Sequence, residues 1–264
     1  MRVAIIGGGV MGEAILRGAL EQGVIAVQDV VVAEVIPIRR TQLEEAHGVK
    51  TTALASEAMA SADVVLLSVK PQEAKSATGR LEPSAVLLSI MAGVRMSTLA
   101  ADFGHDRIVR VMPNTPAAVR AGMSVWTATD AVTEPQRQFT RGLLSAIGRE
   151  LYVAEEKKLD MATAVSGSGP AYVFLFIEAM IDGAVAVGLP RTQAEEMVLQ
   201  TVYGAALYAR ESGRSAADLR AAVTSPAGTT AAGLLELERG ALRAHVIEAV
   251  AAAHGRSLEL GGPL

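Results

Sequence analysis

Seven short runs dominated by Val, Ile and Leu fall within the first 155 residues of this 264-residue chain, and none follows. They are Arg2–Ile6, Asp29–Glu34, Asp63–Val69, Ala85–Ile90, Arg107–Met112, Met123–Ala128 and Glu150–Val153, separated by amphipathic stretches. That alternation predicts βαβ units gathered into a parallel sheet. The run Asp-Val-Val-Leu-Leu-Ser-Val at 63–69 is continuously apolar at its centre, as a strand covered by helices on both faces should be. Beyond residue 156 only helix-period stretches remain: Tyr172–Val187, Arg191–Ser212, Ala216–Val223 and Thr229–Ser257. Gly188-Leu189-Pro190 and Ser212-Gly213 supply stops between them, because Gly permits a left-handed cap and Pro cannot continue a helix. The expected organisation is α/β: a doubly wound sheet domain over residues 1–155, then an all-α domain over 156–264.

Composition narrows the function classes. Half of the residues are hydrophobic, only 20% are charged and the mean hydropathy is +0.33, far from the balance of a disordered chain. Aromatics amount to 3%, the net charge is −4 and the isoelectric point is near 5.7. Such a chain offers neither stacking platforms nor a basic footprint, so nucleic acid and anionic membrane surfaces are not expected partners. With no Cys there are no disulfides, thiolate metal sites or cysteine nucleophiles, and His47, His105, His245 and His254 have no metal-ligand spacing. A reducing, cytoplasmic setting fits. The apolar stretch before Gly7 is too short for a secretory signal. The uncharged stretch Met161–Ile177 falls short of the roughly 20 apolar residues of a membrane span and reads as the start of a buried helix.

The first strand run leads directly into Gly7-Gly8-Gly9-Val10-Met11-Gly12, whose last Gly opens a helix through Ala14, Ile15 and Leu20. In G-x-G-x-x-G the first Gly makes a tight turn, the second lets backbone approach a pyrophosphate, and the third allows close helix packing. Free N–H groups at the helix start then receive the negative charge. Strand, fingerprint and helix together predict a Rossmann-like dinucleotide site. Glu34, at the end of the second run, stands where a carboxylate holds ribose hydroxyls and favours NAD. Arg39 and Arg40 follow and could instead clamp the 2′-phosphate of NADP, so both cofactors stay open.

Three further loops sit at carboxyl ends of strands, the edge at which open α/β sheets bind ligands. They are Val69-Lys70-Pro71, Met91-Ala92-Gly93 and Pro113-Asn114-Thr115-Pro116.

Taken together, the segments at 7–15, 68–72, 89–94, 111–117, 165–174 and 223–238 resemble pyrroline-5-carboxylate reductase over nearly the whole chain. Val-Thr-Ser-Pro-Ala-Gly-Thr-Thr and its continuation at 223–238 is the most specific of them. The resemblance implies NADPH- or NADH-dependent reduction of 1-pyrroline-5-carboxylate to L-proline, the last step of proline biosynthesis. It assigns the cofactor pyrophosphate to Gly7, Gly8, Gly9, Val10, Met11 and Gly12, and the nicotinamide side to Val69, Lys70, Pro71, Met91, Ala92 and Gly93, with Asn114 facing the crevice. It places substrate on Ser225, Ala227, Gly228, Thr229 and Thr230, with the Thr230 hydroxyl reaching the ring nitrogen as the catalytic group. It also implies a homodimer interleaved through the C-terminal helices, with each active site completed by the partner's helical domain; members of the family often assemble such dimers into rings, and the sequence leaves the higher state open. Two positions depart from the family pattern: Ala227 stands where Gly is common, and Ala55 where Asn commonly touches the cofactor ribose, with Ser56 as the expected substitute.

Two rival readings are weaker. β-Hydroxyacid dehydrogenases join a similar nucleotide domain to helices but use a Lys on the first long helix of the second domain, and residues 167–187 contain no Lys. A protein that binds NAD(P) without turnover would have no evident need for the 223–230 segment. The apolar circumference of the 172–187 and 229–253 helices independently predicts association, because a helix apolar all round must be covered on every side.

Overall fold

A computed structural model describes residues 1–77 and 79–261. Its backbone divides into two compact units, one formed by Met1–Ser168 together with the residues from Ala252 onward, the other by Gly169–Ala251.

The first unit is built on an eight-stranded sheet of β1 (Val3–Ile6), β2 (Val30–Ala33), β3 (Lys50–Thr52), β4 (Val64–Leu67), β5 (Val86–Ser89), β6 (Ile108–Met112), β7 (Gly122–Ala128) and β8 (Gly148–Tyr152), in the order β3-β2-β1-β4-β5-β6-β7-β8. β1 pairs in parallel with β2 on one side and β4 on the other, Val3 standing opposite both Val30 and Val64. The chain therefore winds outward from β1 in one direction and then restarts in the other, which opens a crevice at the carboxyl ends of β1 and β4.

Alternation along β1 assigns the two faces. Val3 and Ile5 join Ile15, Leu16 and Ala19 of α1 (Val10–Glu21), Leu43 of α2 (Pro37–His47) and Leu143 and Leu144 of α5 (Glu134–Ser145). Ala4 and Ile6 join Ala58 and Met59 of α3 (Ala55–Met59) and Leu99 of α4 (Met96–Phe103). Both faces of the sheet are thus buried, which is why its strands read as unbroken apolar runs.

Two features differ from the expected sheet. β3 was not anticipated, because Lys-Thr-Thr at 50–52 is a short polar edge strand without an apolar run. β7 runs antiparallel to β6, with Val111 opposite Trp126. The connection between them, residues 113–121, holds only a 3-10 turn at Thr115–Val119, which ends at Arg120 in the left-handed conformation with a φ of 57°. A parallel return needs a crossover of a dozen or more residues.

The remaining helices are α6 (Lys157–Ala162), α7 (Gly169–Ala186), α8 (Arg191–Glu211), α9 (Ala216–Ala222), α10 (Thr229–Arg239) and α11 (Leu242–Gly261). A π-helical turn at Thr163–Gly167 follows α6, its wide loop closed by the Ser168 N–H donating to the Thr163 carbonyl at 2.8 Å. The expected single helix 229–257 is broken between α10 and α11: Gly240 ends the first helix and Ala241 takes a φ of 55°. An Arg followed by Gly at 239–240 is a helix-end signature, and the Ala-rich sequence beyond it masks the stop. In the second unit, Ile181, Ala194 and Val198 of the α7–α8 pair form the buried cluster. The expectation that the 161–177 stretch begins a buried helix does not hold within the chain: Phe174 is 59% and Leu175 67% exposed. By length and composition, the helix running from Lys157 to Ala186 is long and apolar enough to cross a membrane. Among the described residues, most of the apolar surface of α7 is left uncovered, Ile181 being its one buried residue.

Candidate functional site

The crevice of the first unit contains a cavity of about 650 Å³ lined by Gly7, Gly9, Val10, Met11, Glu34, Ser68, Val69 and Lys70, with Ile6, Ala33, Val35, Ile36, Ala53 and Ala55 among its other walls. Each expected residue arrives from the end of a strand: the glycines from β1, Glu34 from β2, Val69 and Lys70 from β4. Gly7 has a φ of +101°, and a Cβ there would stand 2.8 Å from the Ser68 carbonyl oxygen. A Cβ on Gly12 would stand 2.2 Å from the Gly7 carbonyl oxygen, so α1 can start this close to the turn only with glycine at 12. A Cβ on Gly9 would meet nothing within 4 Å, and Val10 is 75% exposed. The loop is therefore closed on its protein side and open on the cavity side.

α1 has no side-chain cap, and its first backbone bond runs from the Glu13 N–H to the Gly9 carbonyl. The amides ahead of Glu13 have no intrahelical acceptor and offer themselves to an anion. On the cavity wall, the buried Ser68 Oγ has no hydrogen-bond partner. This donor set and the missing Cβ atoms fit a dinucleotide pyrophosphate. Ser68 was not anticipated; it ends an apolar run, where a single hydroxyl gives no periodic signal. Ala55 lines the cavity but Ser56 does not, so Ser56 does not replace the amide expected at 55.

Glu34 is 9% exposed, and both its oxygens are held: the Gly8 N–H donates to Oε2 at 3.0 Å and the Ile36 N–H to Oε1 at 2.9 Å. Arg39 lies behind the glycine loop and does not line the cavity. Its Nε donates to the Gly8 carbonyl at 2.8 Å, one terminal nitrogen pairs with Glu13 at 2.5 Å, and the other donates to Gln42 at 3.3 Å. Arg40 donates to the carbonyls of Glu34 and Val35. His47 approaches the second oxygen of Glu13 at 3.0 Å. Burial pushes the Glu13 carboxyl up, but the hydrogen bonds and charges of His47 and Arg39 outweigh it and hold the group below the usual carboxylate range.

The other expected nicotinamide-side residues are not among those that line this cavity. Pro71 starts a 3-10 turn, Met91 is buried in the core beneath β5, and Gly93 faces the last turn of α11, where a Cβ would stand 3.2 Å from the Leu260 carbonyl oxygen. Ala92 between them is exposed. The Asn114 carboxamide is committed on both sides: its oxygen accepts from the Met123 N–H at 2.8 Å, and its nitrogen donates to the Ser166 carbonyl of the π-helical turn at 3.0 Å.

In the second unit, Ser225, Ala227 and Gly228 form the turn that leads into α10, with the Gly228 N–H donating to the Ser225 carbonyl at 3.1 Å. Gly228 is the N-cap, and Thr229 and Thr230 are the first two helical residues, both exposed. No hydrogen bond engages the hydroxyls of Ser225, Thr229 or Thr230 among the described residues. Uncapped amides and free hydroxyls at the start of an eleven-residue helix can receive a carboxylate and one further polar atom. Ala227 adopts a φ of 56°, the left-handed conformation that its replacement of a common Gly made doubtful. Ala227→Gly is expected to stabilise the protein by about 0.5–1 kcal/mol by relieving the Cβ clash. Denaturant unfolding would measure this, and a loss of stability would show that the loop is unstrained.

Comparison with known proteins covers the chain from end to end. A family model described as pyrroline-5-carboxylate reductase dimerisation matches residues 156–260, and one described as NADP oxidoreductase coenzyme F420-dependent matches residues 2–93. A pyrroline-5-carboxylate reductase of Arabidopsis thaliana is 42% identical over 263 residues, covering 98% of this chain and 95% of the relative. Two solved structures superpose with a TM-score of 0.89. One is a pyrroline-5-carboxylate reductase of Coxiella burnetii, 35% identical, covering 99% of each chain. The other is a Plasmodium falciparum pyrroline carboxylate reductase with NADP bound, 30% identical, covering 99% of this chain and 98% of that one.

Proposed function

The chain belongs to the pyrroline-5-carboxylate reductase family, and on that premise we propose that it reduces 1-pyrroline-5-carboxylate to L-proline with NADPH or NADH. The full-length identity to named reductases carries this reading. The test is loss of nicotinamide absorbance when purified protein meets the imine and either cofactor, with proline as product. No oxidation by folded, NAD(P)H-binding protein would overturn it.

When bound, the reduced nicotinamide supplies a hydride from its C4 to the imine carbon, and the ring nitrogen ends protonated. The Gly7–Gly12 loop and the start of α1 would hold the pyrophosphate, with Val69 and Lys70 on the side expected to receive the nicotinamide. The amides at the start of α10, with Ser225 and Thr229, hold the substrate carboxylate. The Thr230 hydroxyl hydrogen-bonds the ring nitrogen. A protonated imine is already electrophilic, so placement and this one hydrogen bond suffice without a strong general acid. Residues 1–155 serve as the dinucleotide domain and 156–264 as the substrate and dimerisation domain, in a cytoplasmic setting.

Association follows from the second unit's energetics. A core cluster of Ile181, Ala194 and Val198 is too small to support the unit alone, while Phe174, Leu175, Tyr203 and Ile247 are exposed. A second copy covering these faces, with dimers joined into a ring, would bury them. Light scattering at micromolar concentration is expected to give at least twice the 27.4 kDa chain mass. Leu175→Glu is expected to shift the population to single chains. A monomeric wild type would refute the association.

A further inference from the structure

Building on the dinucleotide site proposed above, we infer that this chain selects NADH over NADPH, and that Glu34 is the residue that does so. The carboxylate sits on the cavity wall at the end of β2, beside Val35 and Ile36. It is almost completely removed from water and cannot swing away without abandoning two backbone donors, Gly8 N–H and Ile36 N–H, that belong to the two loops flanking the cavity. Each carboxylate oxygen has lone-pair capacity beyond the amide it already accepts, so the pair can accept from the adjacent 2′- and 3′-hydroxyls of an adenosine ribose. A 2′-phosphate in the same place adds negative charge against a fixed negative group and brings no proton to donate.

The two arginines that follow Glu34 are occupied, and the cation that does stand on the cavity wall, Lys70, comes from the end of β4, not from the β2 loop that carries Glu34. The Arg39 guanidinium uses all three nitrogens, on the Gly8 carbonyl, on Glu13 and on Gln42. The Glu13 carboxylate is also hydrogen-bonded to His47, so reorienting Arg39 would break an established pair inside a partly buried cluster. Arg40 donates to the carbonyls of Glu34 and Val35, where it holds the turn that presents the glutamate. A phosphate-binding version of this site would have a small or hydroxyl-bearing residue at 34 and a guanidinium free to reach the cavity. In this chain the carboxylate has the cavity wall and the guanidinium lies behind the glycine loop.

Equilibrium titration without substrate tests the inference, using nicotinamide fluorescence for NADH and NADPH and calorimetry for two fragments, 5′-AMP and 2′,5′-ADP. The wild type is expected to bind NADH at least about tenfold more tightly than NADPH, and 5′-AMP more tightly than 2′,5′-ADP by a similar factor. Glu34→Ser is expected to bring the two dinucleotides within about threefold of each other, chiefly by weakening NADH. The fragment pair needs no variant, so it decides the question even where Glu34→Ser fails to fold. Equal or tighter binding of NADPH and 2′,5′-ADP by the wild type would overturn the selectivity and leave the reductase reading intact. Binding of neither dinucleotide would overturn that reading and the inference with it.

Discussion

Thr230→Ala is expected to lower turnover by about 10²–10³-fold, the scale of losing one hydrogen bond aimed at a charge-bearing atom of the transition state. The dissociation constants for NADH and NADPH should stay within about twofold, because the dinucleotide cavity is lined by residues of the other unit. Thr230 is exposed at the second position of α10 and its hydroxyl has no partner among the described residues. Removing it should therefore cost the fold little. Thr230→Ser keeps the hydroxyl and should retain most of the activity. Equal losses in both variants would point to the methyl group and its packing; unchanged turnover in Thr230→Ala would remove the hydroxyl from the mechanism. The expectation is sharp because the segment contains no better acid: the nearest carboxyl along the chain is Glu236, beyond the first turn of α10.

The conformation of the glycine loop was legible because its determinants are local. A tight turn, a close backbone approach and a helix start fall within six consecutive residues, and each needs glycine for a reason that sequence spacing expresses. The position of Glu34 on the cavity wall was legible too, since Glu34 is the last residue of the second strand run. Its competition with Arg39 and Arg40 was not, since spacing alone cannot say that one guanidinium turns back onto Gly8 and Glu13 while the other holds the Glu34 turn. Met91 to Gly93 follow a strand as a ligand loop would, yet Met91 packs into the core and Gly93 faces Leu260, a contact between residues far apart in the chain. The sheet's strands were found wherever both faces are buried. The edge strand β3 escaped because an edge needs no apolar run, and the reversal of β7 because a short loop sets direction without changing strand composition.

No periodicity marks out Arg110, and its replacement by Ala is expected to destabilise the protein by about 3–5 kcal/mol. Arg110 is 3% exposed within β6, on the face where Ser89 and Thr127 stand beside it on the neighbouring strands. Its guanidinium spans two carboxylates, Glu156 at 3.0 Å and Asp160 at 3.1 Å. The same Glu156 oxygen accepts the Met96 N–H at 2.8 Å at the start of α4, and Ser257 of α11 donates to the same Asp160 oxygen at 3.3 Å. One cation thus fastens β6, α4, α6 and the last turns of α11. Without it the Asp160 side chain, only 5% exposed, is left with the Ser257 hydroxyl as its side-chain partner among the described residues. The cost is the desolvation of an unpaired buried carboxylate, larger than the net worth of the intact pair. A fall in melting temperature on the order of 10 °C should accompany it for a chain of this size. Protein concentration must be held constant between variants, because association adds to apparent stability. The double change Arg110→Met with Asp160→Leu removes both buried charges and should recover more than half of the loss. If Arg110→Ala melts like the wild type, water must reach Asp160 and the network carries no stability. If the double variant is no better than the single one, the loss arises from the cavity left in β6 and not from the stranded charge.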